Sequence, residues 1–145
     1  IGPAGAGKIA RAVAQCQGLM HLNLSLNQIG DSGAQTLAHA LSTCHSLTHL
    51  NLYGNGIGDL GAAHLADAVA ACSALVHLDV TMNDIGAEGA QRLAVVVRGR
   101  EEGQEGAKEC RALVHHTLLG RRWCLGNGDA GCADRGEARG SGVVM

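Results

Sequence analysis

Phenylalanine is absent from this 145-residue chain, tyrosine and tryptophan occur once each, and no apolar run approaches the ~20 residues that crossing a bilayer requires. A core without aromatics must be assembled from leucine, isoleucine, valine and alanine. Basic residues are scarce too. Up to Val97, six acidic side chains face only Lys8, Arg11 and Arg92, so no cationic stripe awaits a nucleic-acid backbone. With a net charge of −2 and 46% apolar residues, the composition is that of one globular domain.

What the chain does contain is repetition. Leu19-Met-His-Leu22-Asn-Leu24-Ser-Leu-Asn27-Gln-Ile29-Gly30 recurs in closely similar form from Leu47 and from Leu75, a spacing of 28 residues. A fixed period in this range predicts a solenoid of stacked units. Leu22 and Leu24, two residues apart, share one face of a short strand, while His21, Asn23 and Ser25 take the other. After each Ile-Gly pair, apolar positions such as Ala34, Leu37, Ala38 and Leu41 recur at i, i+3, i+4 and i+7, which predicts an amphipathic helix. Asp31 or Ser32, and Asp59 one unit later, are the expected N-caps. Neighbouring strands sit ~4.8 Å apart and packed helices ~8–10 Å, so the stack should curve with its strands inside.

This pattern resembles the leucine-rich repeat, in the 28-residue form of ribonuclease inhibitor, NOD-like receptors and Ran GTPase-activating protein. The resemblance implies an α/β solenoid of parallel inner strands and outer helices. It also implies that Asn27, Asn55 and Asn83 lie inside the turns and hydrogen-bond neighbouring backbone. Domain organisation follows the register: a half repeat over 1–18, repeats over 19–46, 47–74 and 75–98, an insertion and degenerate repeat over 99–119, and an irregular, disordered tail over 120–145.

The same register absorbs two misleading signals. Gly2-Pro-Ala-Gly-Ala-Gly-Lys8 spells a phosphate-binding P-loop, G-x-x-x-x-G-K. Ile1, Gly2 and Gly5, however, fall in step with Ile29, Gly30 and Gly33, and Ile9 stands where a magnesium-holding Ser or Thr belongs. The segment is therefore expected to be the helical half of a truncated repeat, once packed on preceding units. Six cysteines could suggest a disulfide framework. Cys16, Cys44 and Cys72 instead share one repeat position and are expected to be small buried apolar residues, with Cys110 ahead of Leu113 read as their counterpart. Cys124 and Cys132 have no repeat assignment and no metal-ligand spacing. Reduced thiols without a visible export signal favour the cytoplasm, although a signal peptide could have preceded Ile1.

His21, His49 and His77 form a column on the displayed face, with His115 a candidate fourth member. Three readings stay open for them: an inherited repeat position, a stripe contacting a partner, or a pH-sensitive or metal-sharing ladder. Beside them run Asn23, Asn51 and Asp79, then Ser25, Tyr53 and Thr81. These nine residues are the candidate contacts, with Tyr53 the best single anchor because aromatics are enriched in binding hot spots.

Regularity ends after Val97. Residues 98–108 are rich in Gly, Glu and Arg, and Leu113-Val-His-His-Thr-Leu118 restarts the pattern ten residues late. An extended helix with a degenerate capping repeat, a flexible tail, and a mistranslated gene end compete to explain the remainder. Function is expected to be noncatalytic binding of a protein on the concave face, without cofactor, metal or nucleic acid. The rivals are the sensor segment of a NOD-like receptor and, for the enzyme class, a GTPase-activating fragment. The last needs an Arg poised for phosphoryl transfer, and the intact repeats offer only Arg92, on a helix.

Overall fold

The computed structural model describes residues 1–103, 111–116 and 121–125, with side-chain surroundings through Val97. Helices and strands alternate: α1 (Gly2–Gln15), β1 (His21–Asn23), α2 (Gly30–Leu41), β2 (His49–Asn51), α3 (Asp59–Ala71), β3 (His77–Val80), α4 (Ala87–Gly103), β4 (Arg111–His116) and β5 (Arg121–Leu125). The five strands form one sheet in chain order. Four are parallel, and β5 turns back antiparallel to β4.

Strand register follows the sequence period through the intact repeats. His21 pairs with His49 and His49 with His77, and the leucines one position on do likewise. Leu50, Leu52, Leu78 and Val80 are sealed beneath the sheet, as are Ile29, Ile57 and Ile85 beneath the turns. Each such side chain contributes roughly 1.5–3 kcal/mol on burial. From the helices, Ala34, Leu37 and Leu41, then Ala62, Leu65 and Val69, close the same core. On α1, Ala6, Ala10 and Val13 take the equivalent places. The G-x-x-x-x-G-K run accordingly lies within α1 as packed helix, not as a loop around phosphate.

The helices approach one another through glycine. A Cβ on Gly61 would come within 3.2 Å of the Ala34 Cβ and 2.6 Å of the Ile57 side chain, and one on Gly89 within 2.9 Å of the Ala62 Cβ. Glycine at this position lets each helix start against the alanine face of the helix before it.

Capping differs from the expectation. Neither α2 nor α3 is capped by its own Asp or Ser. Asp31, on α2, instead accepts hydrogen bonds from the Gly58 and Gly61 amides of α3 at 2.8 and 2.9 Å. Asp59 does the same one repeat later for Gly86 and Gly89 at the start of α4, again at 2.8 and 2.9 Å. Each carboxylate therefore satisfies free N–H groups and meets the positive helix end of the next repeat. Pro3 and Ala87 stand at the corresponding positions of the first and last helices, so among the described residues the device serves the α2–α3 and α3–α4 junctions.

The register slips at β4. His77 pairs with Arg111, Leu78 with Ala112 and Val80 with Val114, an offset of 34 residues rather than 28. The sequence alignment of His115 with His77 used an offset of 38, so His115 is not a fourth rung; Arg111 is the partner of His77. Cys110, read as the counterpart of Cys72, lies outside the described residues. Leucine spacing alone misplaced this strand because α4 runs on to Gly103 and the connecting length is not a repeat length. Arg121–Leu125 forms β5, paired from Ala112–Leu125 to His116–Arg121, where an irregular tail was expected to have begun. Alternate main-chain groups on the outer edge of β4 supply that pairing regardless of repeat pattern. Residues 126–145, with Cys132, lie outside the described residues.

Candidate functional site

The asparagines at the strand-to-turn junction form a buried ladder. Asn55 is 1% exposed. Its Oδ1 accepts from the Asn27 and Ile29 amides of the preceding repeat at 3.0 and 3.3 Å, while Nδ2 donates to the carbonyls of Leu24 and Leu52 at 2.9 Å and of Tyr53 at 3.2 Å. Asn83 repeats the arrangement one unit on, accepting from Asn55 and Ile57 and donating to Leu52, Val80 and Thr81. Asn27 is half-buried; its amide nitrogen bonds Leu24 and Ser25, and its oxygen meets the Ile1 ammonium at 3.3 Å. These residues therefore join adjacent repeats as well as closing their own turns.

Six residues earlier in each unit, the histidines form a second ladder of different character. The His21 and His49 rings stack at 4.3 Å with 21° between planes, and His49 and His77 at 5.7 Å with 30°. His21 and His49 are exposed and His77 half-buried. The Thr48 hydroxyl donates its hydrogen to the Met20 carbonyl at 2.9 Å. Its 2.9 Å contact with His49 Nδ1 therefore has the ring N–H donating, which leaves Nε2 of neutral His49 as an acceptor. Partial desolvation, then the charges of His21 and His77 on either side, hold the His49 ring below the ordinary histidine value. The stack favours a neutral centre.

The next displayed column proves to be a set of turn formers. Asn23 Oδ1 accepts from the Ser25 amide at 3.0 Å, Asn51 Oδ1 from the Tyr53 amide at 2.9 Å, and Asp79 Oδ1 from the Thr81 amide and hydroxyl at 2.9 and 2.7 Å. Each short side chain thus fixes the bend that ends its strand. Thr81 is only 5% exposed, its hydroxyl satisfied by Asp79, so it is not a displayed contact as expected. Ser25 and Tyr53 are half-buried and remain accessible.

Among the cysteines, Cys44 and Cys72 are buried and free, and Cys72 Sγ donates to the Cys44 carbonyl at 3.3 Å. Burial works to raise the Cys44 thiol, but hydrogen bonds from the Ser46 backbone and hydroxyl and the Leu47 backbone favour the thiolate and bring it below the usual cysteine value. Cys16 corrects the expectation: it is exposed. Within the described residues it lies at the outer end of the stack, where no neighbouring unit covers it.

Sequence reading missed two members of the accessible surface. Leu26 and Met82, at one repeat position in the loop after the strand, are 72% and 56% exposed. Their signal was a large apolar residue immediately before the turn asparagine. Among the described residues, no helix is long and apolar enough to cross a membrane, and no group of three or more His, Cys, Asp or Glu is arranged to hold a metal ion.

A family model described as leucine-rich repeat matches residues 15–38, 43–66 and 71–94, with starts 28 residues apart as in the sequence pattern. Among solved structures, leiomodin-1 actin-binding site 2 (ABS2) is similar, with a TM-score of 0.61 at 19% identity; the alignment covers 68% of this chain and 58% of the leiomodin chain. The likeness at that identity is one of fold, and this chain spans a little over half of that neighbour's length. No curated protein matches the chain.

Proposed function

This chain is a leucine-rich repeat protein, and from that premise we propose that it is a noncatalytic scaffold holding a partner protein on the concave, strand-lined face. The observation that carries the reading is the division of labour along each strand. Even positions such as Leu50 and Leu78 are wholly buried, whereas His21, His49 and Tyr53 stay accessible across adjoining repeats. The histidines are not needed to close the fold, so the surface they form is free for another molecule. The imidazoles stack face to face as a continuous column, which supports reading them as a contact stripe.

The full-turn helices and the 28-residue spacing support the ribonuclease-inhibitor subclass, and three free thiols at that spacing support a reducing, cytoplasmic setting. A role as the sensor segment of a NOD-like receptor would fit the same subclass; a nucleotide-binding domain in the same open reading frame would establish it.

A partner isolated on the wild-type chain tests the face. Tyr53→Ala combined with His49→Ala should weaken its binding by about tenfold or more while far-UV circular dichroism is unchanged. Replacing exposed Val95 on α4 by Ser should leave affinity intact. The opposite pattern would move the binding surface to the helices.

A further inference from the structure

Leu26, Gly54 and Met82 occupy one column in the loops that follow the strands, and all three have left-handed backbone, with φ of 58°, 63° and 55°. Glycine takes that region freely, while a leucine or methionine side chain there is sterically disfavoured. Leu26 and Met82 are nevertheless large, apolar and mostly exposed. Neither backbone conformation nor burial accounts for their presence. A Cβ on Gly54 would come within 2.7 Å of Leu26 Cδ2, so the glycine leaves room for Leu26 to spread across it toward the next repeat. Half-buried Tyr53 is the adjoining residue in the chain.

Beside the Met82 end of this ridge the nearby charged side chains are acidic. Asp84 is exposed in the following turn, with Oδ2 3.9 Å from where a Gly56 Cβ would lie, and Asp79 stands at the end of β3. The three cationic side chains through Val97 all belong to α1 and α4. In repeats 19–97 the turn side therefore presents carboxylates beside apolar groups, and the Lys and Arg side chains through Val97 lie on the helices.

Spacing decides which element suits it. Positions in one column recur about every 4.8 Å, the distance between strands, and an α-helix advances about 5.4 Å per turn, so a helix lying along the stack stays nearly in step at one turn per repeat. Same-face residues of an extended strand recur about every 6.6–6.8 Å and fall out of step by the second repeat. We propose that the Leu26–Met82 ridge docks an amphipathic α-helix of a partner protein, apolar at i, i+4 and i+7 and carrying Lys or Arg on the flank that faces the exposed Asp84. This rests on the concave-face reading and adds the partner's form and charge.

The probe is a library of stapled peptides of about 18 residues, with leucine fixed at i, i+4 and i+7 and lysine on one flank, against a control library of equal composition with leucine at i, i+2 and i+4. The wild-type chain should enrich the first by roughly tenfold or more, and no enrichment overturns the helix. Leu26→Gly with Met82→Gly adopts the backbone that Gly54 already has, so it should unfold at an equal or higher temperature while binding the selected peptides about tenfold more weakly. Stability and affinity then move in opposite directions, which misfolding cannot mimic. Unchanged affinity overturns the ridge. If Tyr53→Ala alone weakens binding, the concave face stands and the ridge fails; if neither variant does, both fail for these peptides. Asp84→Asn should weaken binding severalfold and reduce its salt dependence; no change would remove the basic flank from the proposal.

Discussion

The asparagine and histidine ladders have the same period, lie six residues apart in every repeat and run through the same three units, yet they do opposite things. Asn55 is enclosed and gives every polar atom of its amide to backbone in two repeats. The His49 ring stacks on its like neighbours and bonds Thr48, at the surface. Periodicity records that a residue occupies a fixed place in a stack. What the place does depends on whether backbone groups wait there for partners.

The largest effect that could break this contrast lies within the asparagine ladder itself. Asn83→Ala would strand the buried Val80 carbonyl and the amides of Asn55 and Ile57, at ~1–3 kcal/mol for each unsatisfied group. We expect a loss of at least about 3 kcal/mol in urea unfolding, and a clearly smaller one for half-buried Asn27→Ala. Equal losses would mean that burial does not set the ladder's strength. Next comes the cap that crosses repeats: Asp59→Ala should cost about 1 kcal/mol and raise amide exchange at Gly86 and Gly89, not at the start of α3. Exchange rising first in α3 would return the cap to its own helix.

The smallest effect concerns pH. His49 binds its proton less readily in the folded chain than in the unfolded one, so unfolding takes up protons and stability rises with pH through this window. As pH falls through the ordinary histidine value of about 6.5, the melting temperature should drop slightly, then level off once the folded His49 is itself protonated. His49→Asn should flatten that part of the profile, and an unaltered slope would assign it to another group.

Much of this was legible from residue spacing. The strands, the helices, the buried Leu and Ile columns and the turn asparagines all follow from a repeat whose apolar periods are unambiguous. The misses share a physical cause. Strand parity shows that Asn23, Asn51 and Asp79 face outward but not that their short side chains reach back to an amide two residues on. Local order suggested that Asp31 caps its own helix, whereas its carboxylate is within reach of the next one only after stacking. Cys16 obeys the period of Cys44 and Cys72, but among the described residues no unit covers it as theirs are covered. Leu26 and Met82 were passed over because their hydrophobicity fits neither period, and only the backbone conformation and exposure reveal them as surface.

The most direct test is paired urea unfolding of Asn55→Ala and His49→Ala at pH 7.5, where His49 is neutral. A difference of at least about 2 kcal/mol, with His49→Ala within ~0.5 kcal/mol of wild type, is the predicted result. Equal destabilisation by the two substitutions would contradict it, because the histidine column would then belong to the structure and not to the surface left free for a partner.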